Sequence, residues 1–156
     1  MRLSLTCLPA ILFAAGFIAP AFADVLIDGQ VEAPHPWSAA DLKGQTPVSV
    51  EVSYLTGHGE EHARFTGVPL WALLNQAKLV EGEGKNAKLR HSVLVTGEDG
   101  YAAALALGEF DPEIEGKSVL IAYERDGKPT EGLQLVVPGD KRGGRYVHDV
   151  VHVEVK

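Results

Sequence analysis

The chain is nearly without cysteine: the one thiol, Cys7, lies inside the first apolar stretch. If that stretch is removed, disulfides, thiolate metal ligands and a cysteine nucleophile are excluded together. Long apolar runs are equally scarce. The one from Leu8 to Ile18 is too short, and too interrupted by Pro9 and Gly16, to make a comfortable membrane span. With Arg2 before it and Ala21-Phe22-Ala23 after it, the segment reads as an export signal over residues 1–23, cut before Asp24. Cys7 precedes most of the apolar run, which is the wrong place for a lipid anchor. The expectation is a soluble periplasmic or secreted protein with no stable membrane insertion after cleavage.

Positive charge is also in short supply. Without Arg2 the 14 basic residues become 13, against 21 acidic ones. Nucleic-acid binding needs a cationic surface and is not expected. Any anion site must therefore be a local exception. Residues 24–156 suffice for one domain with one core, and they carry no internal repeat or low-complexity linker.

The patterning is mostly that of strands. In "PVSVEVSYL", Val48, Val50, Val52 and Tyr54 alternate with Ser49, Glu51 and Ser53, and "TGHGEE" turns this strand back into a hairpin. Further strand-like segments are 25–31, 90–96, 101–107, 118–123, 133–137 and 146–155. "SAAD" from Ser38 has the spacing of a capping box. "GVPLWALLNQAKL" places Leu70, Leu73, Leu74 and Ala77 on one helical face after Pro69, predicting one main helix over about 69–78. The fold class expected is α+β, a strand-rich mixed sheet of barrel-like form.

Candidate chemistry is thin. His58/His62 and His148/His152 have the spacing of helical chelates, but neither pair sits on a helical pattern. No glycine-framed serine elbow is present, and no acid/base pair stands out, so catalytic residues stay unknown. The acidic residues Glu60, Glu61, Glu98, Asp99, Glu109, Asp111, Glu113 and Glu115 cluster beside turn residues and read as solvated turn chemistry. The exception is the loop "VVPGDKRGGR", where Lys141, Arg142 and Arg145 surround Gly143 and Gly144. Glycines that expose successive backbone N–H groups, flanked by cations, are the makings of an anion-binding concavity. A plain polar turn, with Asp140 paired to a neighbouring cation, is the other reading of the same residues.

"FTGVPLWALLNQAKL", "VTGEDGYAAALALGEFDP", "VLIAYERDGKP" and "LQLVVPGDKRGGRYVHDV", in this order, resemble the sulfite-oxidase-type molybdopterin-binding domain of oxidoreductases. The match runs from about Gly29 to Val155. The resemblance implies that family's strand-rich fold and marks Lys141, Arg142, Gly143, Gly144, Arg145 and Tyr101 as cofactor-binding: the 141–145 segment matches one near a cofactor's anionic groups, and Tyr101 matches a recurring "DGY" tyrosine whose other reading is the closing of a turn over the core. It also implies a molybdenum-ligating cysteine at the end of the strand before the "FTGVPL" helix. This chain has Thr56 or a near neighbour there. "MRLSLT" moreover has one arginine where export of a folded, cofactor-loaded protein uses two.

Three functions stay open. The domain has lost metal ligation and binds an anionic small molecule or a periplasmic redox partner, with no cofactor expected. Alternatively it is a working oxidoreductase that takes molybdopterin or another metal cofactor after export, using His58, His62 or His91. Or it is a structural partner subunit of a periplasmic redox system.

Overall fold

The computed structural model describes residues 23–156, so all but the last residue of the expected export signal lies outside the described residues. Among the described residues, nine strands form two open sheets. The five-stranded sheet has the order β2 (His35–Trp37), β1 (Val25–Gly29), β9 (Val150–Val155), β5 (Ser92–Gly97), β6 (Ala102–Ala106). The four-stranded sheet runs β3 (Val48–Thr56), β4 (Gly59–Pro69), β7 (Leu120–Arg125), β8 (Lys128–Val136). Three short helices connect them: α1 (Ala39–Lys43), α2 (Leu70–Gln76) and α3 (Leu107–Phe110). The α+β, strand-rich expectation holds, but the barrel-like closure does not. Each sheet keeps two edges among the described residues, because β2 and β6 never pair with each other, nor do β3 and β8.

Local sequence explains most of these elements. The period-two alternation of β3 buries Val52 and Tyr54 and exposes Glu51 and Ser53. Gly57 and His58 turn it into β4 with Thr56 opposite Gly59. The capping box at Ser38 forms as its spacing predicts: the Ser38 side chain accepts from the Asp41 N–H, and the Asp41 carboxylate accepts from the Ser38 N–H. The main helix stops short of the expected residue 78. Lys78 takes a left-handed backbone (φ 57°), and the chain then hydrogen-bonds to residues 32 and 33 instead of continuing the helix.

Strand β9 starts at Val150, later than the alternation from Tyr146 implies. The reason is Asp149, whose φ of 48° breaks the extended run while its carbonyl accepts from Glu98 N–H. Tyr146 and Val147 are thereby freed to pack elsewhere.

The main core joins the inner faces of both sheets with α1 and α2, and includes Ile27, Leu42, Leu73, Val95, Ile121 and Val153. A smaller cluster lies on the opposite face of the four-stranded sheet: Val52, Tyr54, Ala63, Phe65, Leu120, Ala122 and Val136, closed by Tyr146. Tyr146 stacks on Tyr54 with ring centroids 4.2 Å apart. Full burial of such a side chain contributes about 1.5–3 kcal/mol, so this small cluster is what draws the 138–149 segment back over the sheet.

Candidate functional site: the 138–146 loop

The loop between β8 and β9 lies beside the end of β3 and the start of β6. Leu55 N–H donates to the Lys141 carbonyl (3.0 Å), and residues 55 and 142 form a parallel bridge. Tyr101 O–H donates to the Gly144 carbonyl (2.6 Å) while its ring stays half exposed. Gly143 rests on Tyr54: a Cβ there would come within 3.2 Å of two ring carbons. A larger residue would lift the loop off the ring it packs on. Residues 143–145 close a 3₁₀ turn, with Tyr146 N–H donating to Gly143 C=O at 3.0 Å.

The loop's cations divide sharply. Arg145 is clamped between two carboxylates. Its Nε and Nη2 donate to the two oxygens of Asp140 (2.8 and 2.6 Å), and its Nη1 donates to both oxygens of Glu109 (3.0 and 2.9 Å). Glu109 also accepts from Ala106 N–H (3.1 Å) and pairs with Lys117 (3.4 Å). Burial pushes the Glu109 carboxyl up, but the hydrogen bonds from Arg145 and Ala106 outweigh it and leave the group below its ordinary range. Hydrogen bonding to Asp140, joined by Glu109 and opposed by burial, holds Arg145 above its ordinary range.

Lys141 and Arg142 are exposed, and neither side chain meets a carboxylate among the described residues. They border a shallow groove of about 450 Å³ lined by Leu55, Thr56, Gly57, Arg142, Gly143 and Gly144, with Lys141 on an adjoining recess beside Ser53 and Glu60. Nothing lies within 4 Å of where a Gly144 side chain would start. Of the residues that the sequence singled out, Arg142, Gly143 and Gly144 line this groove, Lys141 lines the adjoining recess, and Tyr101 is tied to the loop through Gly144. Arg145 is held inward as a strut.

The resemblance puts the expected metal-ligating cysteine at Thr56 or a near neighbour. Thr56 Oγ1 accepts from His58 N–H (3.1 Å) and donates to Gly59 C=O (3.1 Å), so its hydroxyl is engaged inside the β3–β4 turn. It offers no thiolate. Among the described residues no three His, Cys, Asp or Glu side chains converge as a metal site. The donors at this position do not fit a thiolate-ligated metal, and Arg145 has no free edge for a cofactor phosphate.

The histidines are dispersed. His58 is in the β3–β4 turn, His62 points out near Glu60 at 3.9 Å, and His152 bonds Asp28 across β1 and β9 at 2.8 Å. His91 meets the Lys156 carbonyl through Nδ1 at 3.1 Å.

Two ion pairs were invisible in the sequence. Asp111 is fully buried, 2.8 Å from Lys88. Burial raises its carboxyl, but the bond from Lys88 and the Glu113 N–H more than compensate, so it titrates below the ordinary range. Glu61 pairs with Arg125 at 2.7 Å, and the Arg125 guanidinium lies 5.5 Å over the Phe65 ring. Glu61, Glu109 and Asp111 are thus not the solvated turn charges that their setting implied. Their partners lie in other elements, so no local spacing signals them.

No family model and no curated protein matches the chain. Among solved structures, the crystal structure of the sulfane dehydrogenase SoxCD from Paracoccus pantotrophus superposes with a TM-score of 0.70 at 18% sequence identity. The superposition covers 90% of this chain and 40% of that one, so this chain spans less than half the length of the chain it resembles. Among the described residues, no helix is long and apolar enough to cross a membrane. The chain shares its fold with part of an oxidoreductase.

Proposed function

We propose that this is an exported, oxidoreductase-related domain of sulfite-oxidase type that works without a thiolate-ligated molybdenum. On this proposal it holds an anionic small molecule in the groove beside Lys141 to Gly144. One observation carries the reading: two exposed cations without acidic partners among the described residues, Lys141 and Arg142, sit next to an open Gly143-Gly144 backbone, while the loop's third cation is committed to Asp140 and Glu109. A loop fixed in shape and cationic only at its outer face is suited to an anion, because the binding groups are positioned before the ligand arrives.

The test has two parts. Titration with inorganic phosphate at low ionic strength should give saturable binding that Lys141→Ser with Arg142→Ser abolishes; binding unchanged in that double variant defeats the anion site. Elemental analysis of protein taken from its native compartment should show molybdenum far below one per chain. Stoichiometric molybdenum overturns the loss of metal ligation.

A further inference from the structure

A second cavity lies away from the loop groove, at an irregularity in the four-stranded sheet. Strands β7 and β8 lose register between Ala122 and Glu124, whose partners are Gln134 and Pro129. The extra residues of β8 bow outward and leave a cavity of about 310 Å³ between the bulge and the start of β9. Arg125, Thr130, Glu131, Gln134, His148 and Asp149 contribute to its wall.

Two of these groups have no structural reason to be polar. Gln134 is 5% exposed, yet no described residue gives its carboxamide a hydrogen bond. Its carboxamide is not sealed off; it opens onto the cavity that it lines. Thr130 Oγ1 is buried and has no partner among the described residues. A buried polar group without a partner costs about 1–3 kcal/mol, so a leucine or valine at either position would give a more stable sheet. Gln134 faces the side of the sheet where Ala122 and Val136 are apolar, which makes the exception sharper.

The charges around them select the ligand. Arg125 is already paired with Glu61 (2.7 Å) and Asp126 (3.6 Å). The carboxylates of Glu131 and Asp149 have no partner among the described residues. Asp149 is placed with care: its backbone is left-handed, and its carboxylate occupies the space in which a Gly132 Cβ would sit, 1.9 Å from Oδ1. The cavity therefore offers two carboxylates and an amide oxygen as hydrogen-bond acceptors, with its one strong cation neutralised. Carboxylates this few, with no third metal-ligating side chain converging among the described residues, do not make a metal site.

We propose that the cavity between the β8 bulge and Asp149 binds a small organic cation through a primary ammonium group, whose three N–H donors are met by Asp149, Glu131 and the orphaned Gln134 side chain. This site is independent of the loop groove and of the function proposed for it.

Propylamine is the probe, with 1-propanol and propionate as neutral and anionic controls of the same size. Protein-detected NMR at low ionic strength should show saturable shifts at the Gln134 side-chain amide and at residues 130–133 and 148–149 with propylamine alone. Asp149→Asn, which tolerates the left-handed backbone, should weaken that binding about tenfold, the worth of one charge-assisted hydrogen bond. Gln134→Leu should also abolish the shifts at residues 148–149 while leaving the thermal midpoint unchanged or raised. The inference fails if 1-propanol or propionate binds as well as propylamine. It fails equally if no probe saturates, which would mean a cavity filled by water, or if either variant binds propylamine like the parent.

Discussion

The two ends of the 138–146 loop carry the same chemistry to opposite ends. Arg145 has its guanidinium sandwiched by Asp140 and Glu109, whereas Lys141 and Arg142 stand in solvent, neither paired with a carboxylate among the described residues. In sequence all three are cations in one glycine-rich stretch. In the fold, one is part of the frame and two are part of the surface. A cation's role thus depends on which carboxylates the tertiary structure brings to it.

The comparison breaks first at Arg145. Replacing it with Gln leaves Asp140 and Glu109 largely buried without their counter-charge, and should cost about 2–3 kcal/mol in urea unfolding. If the loss is under about 0.5 kcal/mol, the strut is only an exposed pair and the contrast collapses.

Acid titration should erode both the Arg145–Glu109 contact of this clamp and the buried Lys88–Asp111 pair. Glu109 and Asp111 titrate below their ordinary values of 4.5 and 3.8 in the folded protein. Their contribution is complete above those unfolded-state values and disappears as pH falls through the lower folded ones. Stability measured from pH 6 downward should therefore start to decline near about pH 4.5, and Glu109→Gln should flatten part of that slope. An unchanged profile in Glu109→Gln would show that the clamp does not set acid stability.

A smaller effect is expected from Tyr101→Phe, which deletes the donor to the Gly144 carbonyl at a half-exposed site. About 0.5–1 kcal/mol should be lost, together with some phosphate affinity as the Gly143-Gly144 segment loosens. Unchanged affinity would detach Tyr101 from the site. Smallest in stability is the Lys141→Ser, Arg142→Ser pair, expected within about 0.5 kcal/mol of the parent by thermal unfolding. A large loss there would make these residues structural, like Arg145, and would remove the distinction between the loop's two ends.

The hairpin of β3 and β4, the Ser38 cap and the α2 face were legible because each is written in a short period: two for the strand, three to four for the helix, three for the cap. The ends of elements were not. Lys78 and Asp149 both terminate regular structure by taking positive φ, a choice fixed by distant backbone partners at residues 32 and 98. The loop was legible as a cationic, glycine-rich stretch. The commitment of Arg145 was not, because Glu109 reaches it from the far side of the β6–α3 corner. Nor was Gln134 legible: on a strand of alternating apolar residues it reads as an outward polar position, and only the bulge opposite Tyr123 shows that it lies buried beside a cavity.

The parallel pairing of β1 with β9 has a consequence for how the chain can fold. β9 lies between β1 and β5 and comes after every other strand in sequence, so the five-stranded sheet has a gap at its centre until the final strand arrives. Contacts between segments this far apart pay their loop-closure entropy before any stabilisation is returned, which delays assembly. A nascent chain emerging without β9 has two half-sheets and no completed core. Its five-stranded sheet stays open until β9 pairs with both β1 and β5.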